Sequence, residues 1–180
     1  MCKLLSVLII VLCFSSSGCY YSGINGKVVD NTTGQPIEGA VVVAQWTKSR
    51  GIPGMPIHDP HKIIETLTSK EGAFFLSGTF GLLIDPPEMI IYKEGFIPWR
   101  NDMIFPGGRD RLAKDHEWKN NMTYKLDIFT NKYSLSQLYN FLDHGIIGGG
   151  AYETPIFSEL MRKTSKLESA EIENKMINKK

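Results

Sequence analysis

GINGKVVDNTTGQPIEGAVVVAQW, residues Gly23–Trp46, is the stretch whose reading decides the fold. Ile24, Gly26 and Val28 alternate with Asn25, Lys27 and Val29, which is the two-residue period of a strand. Gly26 in its middle marks a close approach of another chain segment. Asn31-Thr32-Thr33-Gly34-Gln35-Pro36 then breaks the strand. Asn and Thr bond their own backbone, Gly34 accepts a positive φ, and Pro36 fixes φ on the way out. Val41-Val42-Val43-Ala44-Gln45-Trp46 is rich in β-branched residues and reads as a strand buried on both faces.

With Gly26, Val28, Asp30, Thr33, Gly34, Pro36, Ile37, Gly39, Ala40 and Val42 in place, the stretch resembles the opening of carboxypeptidase regulatory-like domains, G-x-V-x-D-x-x-T-G-x-P-I-x-G-A-x-V. Thr68–Phe74 is similar to that family's T-x-x-x-G-x-F hairpin, and Ile90–Phe96 to its V-x-x-x-G-Y strand and turn. The pieces occur in the right order and cover Gly23 to about Pro98. The resemblance implies a prealbumin-like antiparallel β-sandwich, described as a carbohydrate-binding-like fold. It does not imply peptidase activity, because such modules lack the catalytic zinc domain.

The residues outside those motifs agree with a sandwich. Ile63–Ser69 alternates, with Ile64, Thr66 and Thr68 on one face and Ile63, Glu65 and Leu67 on the other. Lys70-Glu71-Gly72 is a hairpin turn, Phe74–Ser77 returns as a strand, and Met89–Lys93 is another. Met122–Ile128 alternates too, with Met122, Tyr124, Leu126 and Ile128 facing in. The expected core is Ile24, Val28, Val41, Val43, Leu67, Phe74, Leu76, Ile91, Tyr92 and Leu126. Two patternless stretches, 47–62 and 99–121, read as loop insertions. The sandwich unit is therefore 23–130.

Beyond it the period changes to that of a helix. Ser134 and Gln137 form a capping box, and Leu135, Leu138, Tyr139 and Leu142 make one helical face. Gly145 and Gly148–Gly150 end that helix. Thr154-Pro155 opens a second one with a stripe of Ile156, Phe157, Leu160, Met161, Thr164 and Leu167. The charged stretch from Glu168 reads as a frayed helix or a disordered tail. The segment 131–180 is thus a helical appendage.

At the other end, Leu4–Phe14 is an apolar run of eleven residues interrupted by Ser6. As a helix it would rise only about 16 Å, roughly half a bilayer core, so residues 1–18 read as a signal peptide. Small residues at Ser16 and Gly18 suit a peptidase cutting before Cys19. Cys2, Cys13 and Cys19 are the three cysteines of the chain, so cleavage there leaves one thiol, at the first position, and no internal disulfide. Ser-Gly-Cys resembles the lipobox of bacterial lipoproteins, with Ser16 standing where that pattern usually has Leu. The resemblance implies lipidation of Cys19, with 19–22 as a tether. An unmodified secreted protein is the alternative. Tyr20 after Cys19 lacks the acidic inner-membrane retention signal, which points to the outer membrane, facing the periplasm.

The chain has 180 residues, of which 42% are hydrophobic and 22% charged, with a formal net charge of +1. Losing Lys3 with the leader leaves 19 of the 20 basic side chains against 19 acidic ones. A near-neutral chain has no basic face with which to displace counterions from phosphate, so no nucleic acid partner is expected. His58-Asp59-Pro60-His61 is the best metal-like cluster, with His116, Asp115 or Glu117 as further ligands from the second insertion. A polar loop is the plainer account, because Pro60 holds the backbone between the histidines extended. Asp85 and Glu88 offer two carboxylates near in sequence, but a solvated loop explains them equally well. No serine lies in a G-x-S-x-G elbow. Trp99 and Trp118 are candidates to stack on a sugar ring, whereas Trp46, at a strand end, is expected to pack inside.

These observations predict a mainly β protein: an envelope lipoprotein, held in the membrane through Cys19, without catalysis or cofactor. Its sandwich would bind protein or glycan or play a structural part. A small metal-dependent hydrolase built on His58 and His61, and a free periplasmic carbohydrate-binding module, are the alternatives.

Overall fold

The computed structural model describes residues 19–52, 55–107, 119–143 and 154–177. Nine strands and two helices are formed among them. The strands are β1 (Cys19–Tyr21), β2 (Ile24–Asp30), β3 (Val41–Ile52), β4 (Met55–Leu67), β5 (Ala73–Leu76), β6 (Thr79–Gly81), β7 (Glu88–Tyr92), β8 (Trp99–Arg100) and β9 (Met122–Leu126). The helices are α1 (Leu135–Asp143) and α2 (Pro155–Ile177). A three-stranded sheet runs β5-β2-β9 and a four-stranded sheet runs β4-β3-β7-β8. The short β1–β6 pair forms a third, two-stranded ladder. All pairings are antiparallel except β2 with β9, which is parallel.

The opening stretch folds as its pattern dictates. Gly34 has φ +70°, and Thr32 and Thr33 donate their backbone N–H groups to Asp30 Oδ1. At Gly26 an added Cβ would lie 2.8 Å from the Tyr124 ring and 2.9 Å from Met122 O, so β9 and β5 can close over β2 only because no side chain is there.

β3 is buried on both faces, and each face belongs to a different core. Val42, Ala44 and Trp46 face the three-stranded sheet and pack with Ile24, Val28, Phe74, Leu76, Ile91, Tyr124 and Leu126. Val41 and Val43 face away from it and pack with Ile90, Tyr92, Leu138, Leu142 and Phe157 under the helices. The molecule is therefore layered sheet, sheet, helix pair. Each of these aliphatic side chains contributes roughly 1.5–3 kcal/mol by leaving water.

Several expectations need correction. Residues 47–52 and 55–62 are no loop: β3 and β4 continue through them as a long antiparallel pair, in register from Thr47↔Pro60 out to Ile52↔Met55, with a bulge at Trp46/Thr47. Residues 19–21 are a strand and not a free tether. The insertion at 99–121 begins with β8, which pairs with β7. Leu67 is 46% exposed and outside both cores, and Ile128, past the end of β9, is likewise exposed. The helix after Glu168 is continuous to Ile177. Gly145 and Gly148–Gly150 lie outside the described residues.

Candidate functional site

The long hairpin gathers the polar side chains that the sequence set apart. Beyond the bulge, Thr47 and Ser49 on β3 and His58 on β4 converge on Asp85, in the segment between β6 and β7. Thr47 Oγ1 donates to Asp85 Oδ2 at 3.0 Å, and Ser49 Oγ lies 2.8 and 2.9 Å from its two oxygens. His58 Nδ1 is 3.0 Å from Asp85 Oδ2 and 3.2 Å from Ser49 Oγ. Burial would raise the Asp85 pKa, but hydrogen bonds from His58, Ser49 and Thr47 outweigh it and hold the carboxyl below its usual range.

The residue types are those of a nucleophilic triad, yet the geometry is different. In a triad the acid holds one imidazole nitrogen and the nucleophile hydroxyl meets the other. Here both Ser49 and Asp85 meet Nδ1. Ser49 donates to the carboxylate directly, so the imidazole does not stand between the hydroxyl and the acid as it does in a triad. The arrangement ties the Asp85 segment to the hairpin.

Among the described residues the metal-like side chains do not converge. His58 turns to Asp85, whereas His61 Nε2 meets Thr79 Oγ1 on β6 at 3.1 Å. Asp59 pairs with Arg50 across the hairpin. Among the described residues no group of three or more His, Cys, Asp or Glu side chains could hold a metal ion. His116, Asp115, Glu117 and Trp118 lie outside the described residues.

Trp99 is 8% exposed and packs edge-on against Tyr124, ring centroids 4.7 Å apart, within the sandwich core. It presents no free face for a sugar. Burial pushes the Tyr124 hydroxyl up to about 12, although its bond to Lys119 O works the other way. Trp46 is fully buried, with Lys62 Nζ 5.8 Å from its ring centroid. Lys62 in turn donates to Gly78 O at 2.6 Å.

Two residues that sequence reasoning missed fix the helices to the sheet. Arg100 on β8 is fully buried. It holds Asp102 through two bonds of 2.8 and 2.6 Å and donates to Phe141 O, in the last turn of α1, at 3.0 Å. Glu65 on β4 accepts the N–H groups of Ile156 and Phe157 at 2.9 and 3.0 Å, capping α2. A cleft of about 220 Å³ lies between the helices and the sheet, lined by Tyr92, Phe129, Leu135, Leu138, Leu160 and Leu167. It is smaller than the roughly 300–1,000 Å³ of ordinary small-molecule sites.

The remaining candidate, Cys19, opens β1. It stands in register with Gly81, Tyr20 with Phe80 and Tyr21 with Thr79, and Tyr21 Oη donates to Ile84 O at 3.1 Å. The backbone at Cys19 is thus part of the folded body.

No family model matches the chain, and no curated protein does. Among solved structures, a streptococcal ancillary pilin superimposes with a TM-score of 0.31 at 15% identity, over 61% of this chain and 30% of the pilin chain. The chain thus spans under a third of that pilin.

Proposed function

We propose that the chain is a non-catalytic lipoprotein of the bacterial cell envelope, anchored through Cys19, with a carboxypeptidase regulatory-like sandwich as its display or structural module. The observation that carries the reading is the junction at Cys19. An apolar leader with small residues before the cysteine runs into a strand of the folded body, with no further cysteine after it. The sandwich type is supported by what the motif residues do. Gly34, Gly39, Gly72 and Gly95 have φ of 70°, 67°, 73° and 88°, which other residues adopt at a cost. Ala40 and Val42 are fully buried. These are fold residues, so the resemblance speaks for architecture and not for a ligand.

A role without catalysis is supported by the Asp85 cluster, whose serine and histidine are both spent on one carboxylate. Trp99, one of the two candidates to stack on a sugar, is inside, which favours a protein partner over a glycan at that residue. The outer membrane, facing the periplasm, is the expected location, since Tyr20 follows Cys19. Radiolabelled fatty acid fed to cells expressing the wild type and Cys19→Ala tests the anchor. The wild type is expected to incorporate label and the variant none; equal labelling of both refutes anchoring.

A further inference from the structure

The end of the molecule that carries Cys19 also carries the three most exposed large apolar side chains among the described residues, Met55, Phe80 and Leu83. Phe80 on β6, Leu82 and Leu83 in the turn after it, and Met55 and Ile57 at the outer end of β4 are between 58 and 71% exposed. They lie on adjoining elements. Cys19 pairs with Gly81, one residue before Leu82. Ser49 N donates to Leu83 O at 2.9 Å, and Lys48 bridges Ile84, so the Leu82–Leu83 turn lies against the flank of the long hairpin. Met55 and Ile57 belong to the same hairpin, farther out. Apolar groups concentrated at one site mark an interaction surface, whereas singly scattered ones do not.

We infer that this end of the molecule is a lipid-docking face, with the outer end of the β3–β4 pair, at Met55 and Ile57, dipping into the membrane interface beside the anchor. The inference rests on the anchoring proposed above and adds an orientation and a second contact to it. The occupant follows from where the chain meets the membrane. The acyl groups proposed at Cys19 would begin at the level of Gly81. Leu83, two residues after Gly81, accepts from Ser49 N on the hairpin, and β3 continues three residues farther to Ile52, about 10 Å at strand rise. A reach of that order matches the roughly 5–10 Å to which apolar faces of interfacial elements enter the boundary between headgroups and acyl chains. Arg50, the charged side chain nearest the outer end of the hairpin among the described residues, is paired with Asp59, which lowers the cost of bringing it to a lipid surface. The exposed apolar residues of α2 do not compete for the role. Leu167, Ile172, Met176 and Ile177 are spaced around the helix axis and form no single stripe.

The test uses the full chain extracted from membranes and reconstituted into phosphatidylethanolamine–phosphatidylglycerol vesicles whose acyl chains carry bromine, a quencher of tryptophan. Ile57→Trp and Leu82→Trp report on the docking face, and both sites are exposed enough to take the ring. Lys70→Trp, in the turn after β4 at the opposite end, is the control. The added emission at 57 and 82 is expected to be lost in brominated vesicles, with that at 70 unchanged. Flotation of the wild type with the vesicles separates the two ideas. If the protein floats but positions 57 and 82 are quenched no more than 70, anchoring stands and the docking face falls. If that emission is shielded in plain vesicles by a second copy of the chain, as crosslinking would reveal, the lipid occupant is overturned. If the wild type does not float, both fall.

Discussion

Glu65 is a carboxylate in a β-strand, yet its partners are the first N–H groups of a helix 91 residues away. Those groups have no carbonyl to bond within the helix, and the dipole makes them favour an anion. Glu65→Ala should therefore cost about 1–2 kcal/mol in urea unfolding, whereas Glu65→Gln, which keeps one acceptor, should cost less. Arg100 is a harder case. It is buried with its charge, and Asp102 and Phe141 O occupy three of its donors. Arg100→Met leaves Asp102 without its partner, and a loss of about 3 kcal/mol is expected, read by the same unfolding curves. Asp85 makes a prediction in pH. Its folded-state pKa is depressed, so its carboxylate stabilises the fold above the unfolded value of about 3.9, and that contribution is lost as pH falls through the folded value. The stability difference between wild type and Asp85→Asn should be flat from neutral pH down to about 5 and shrink below about 4. A difference that persists unchanged at pH 3 would contradict the geometry.

At the scale of elements, the period of the sequence was a good guide wherever one face meets one core. The capping box of α1 is present as written: Ser134 N donates to Gln137 Oε1 at 2.9 Å and Gln137 N to Ser134 Oγ at 3.2 Å. Gly26, Gly34 and Gly72 do what their positions in the pattern required. The long hairpin was hidden for a physical reason. Pro56 and Pro60 sit in β4, and proline in a strand argues against a strand in mid-sheet. But β4 is the edge of its sheet, where an N–H pointing to solvent is not missed and proline blocks further pairing. Edge position is a property of the assembled sheet, so the local sequence cannot display it. Trp99 was misplaced for a similar reason, since a two-residue strand shows no period. Leu67 follows the correct alternation, but the helices that cover Ile63 and Glu65 leave it in water. Helix α2 carries the matching contrast. Phe157 is 3% exposed under the sheet and Ile172 is 44% exposed. Phe157→Ala should cost about 3–5 kcal/mol and Ile172→Ala no more than about 0.5, compared by thermal and urea unfolding.

The whole molecule has two unlike ends, and the order of its strands explains why. β3 runs from the Gly39 turn to the hairpin tip, so one end collects the turns at Asp30–Gln35, Gly39, Lys70–Gly72 and Glu94–Gly95. The other collects β1, the β6 turn and the tip. Thr164 of α2 lies against Tyr92, which pairs with Val41, so the helix runs toward the first end and carries its exposed charged half there. A chain fixed through Cys19 would thus show solvent its turns and the end of α2, the surfaces open to a partner. Lysines sample both ends. Lys48 lies beside the Leu83 turn, Lys70 in the opposite one, and Lys175 near the end of α2, all exposed. A water-soluble amine-acylating reagent should modify all three in detergent. On vesicles, modification of Lys48 should slow while Lys70 and Lys175 react as before. Protection of Lys70 or Lys175 with Lys48 open would mean that the molecule lies the other way round or on its side, and would place the partner surface at the hairpin tip instead.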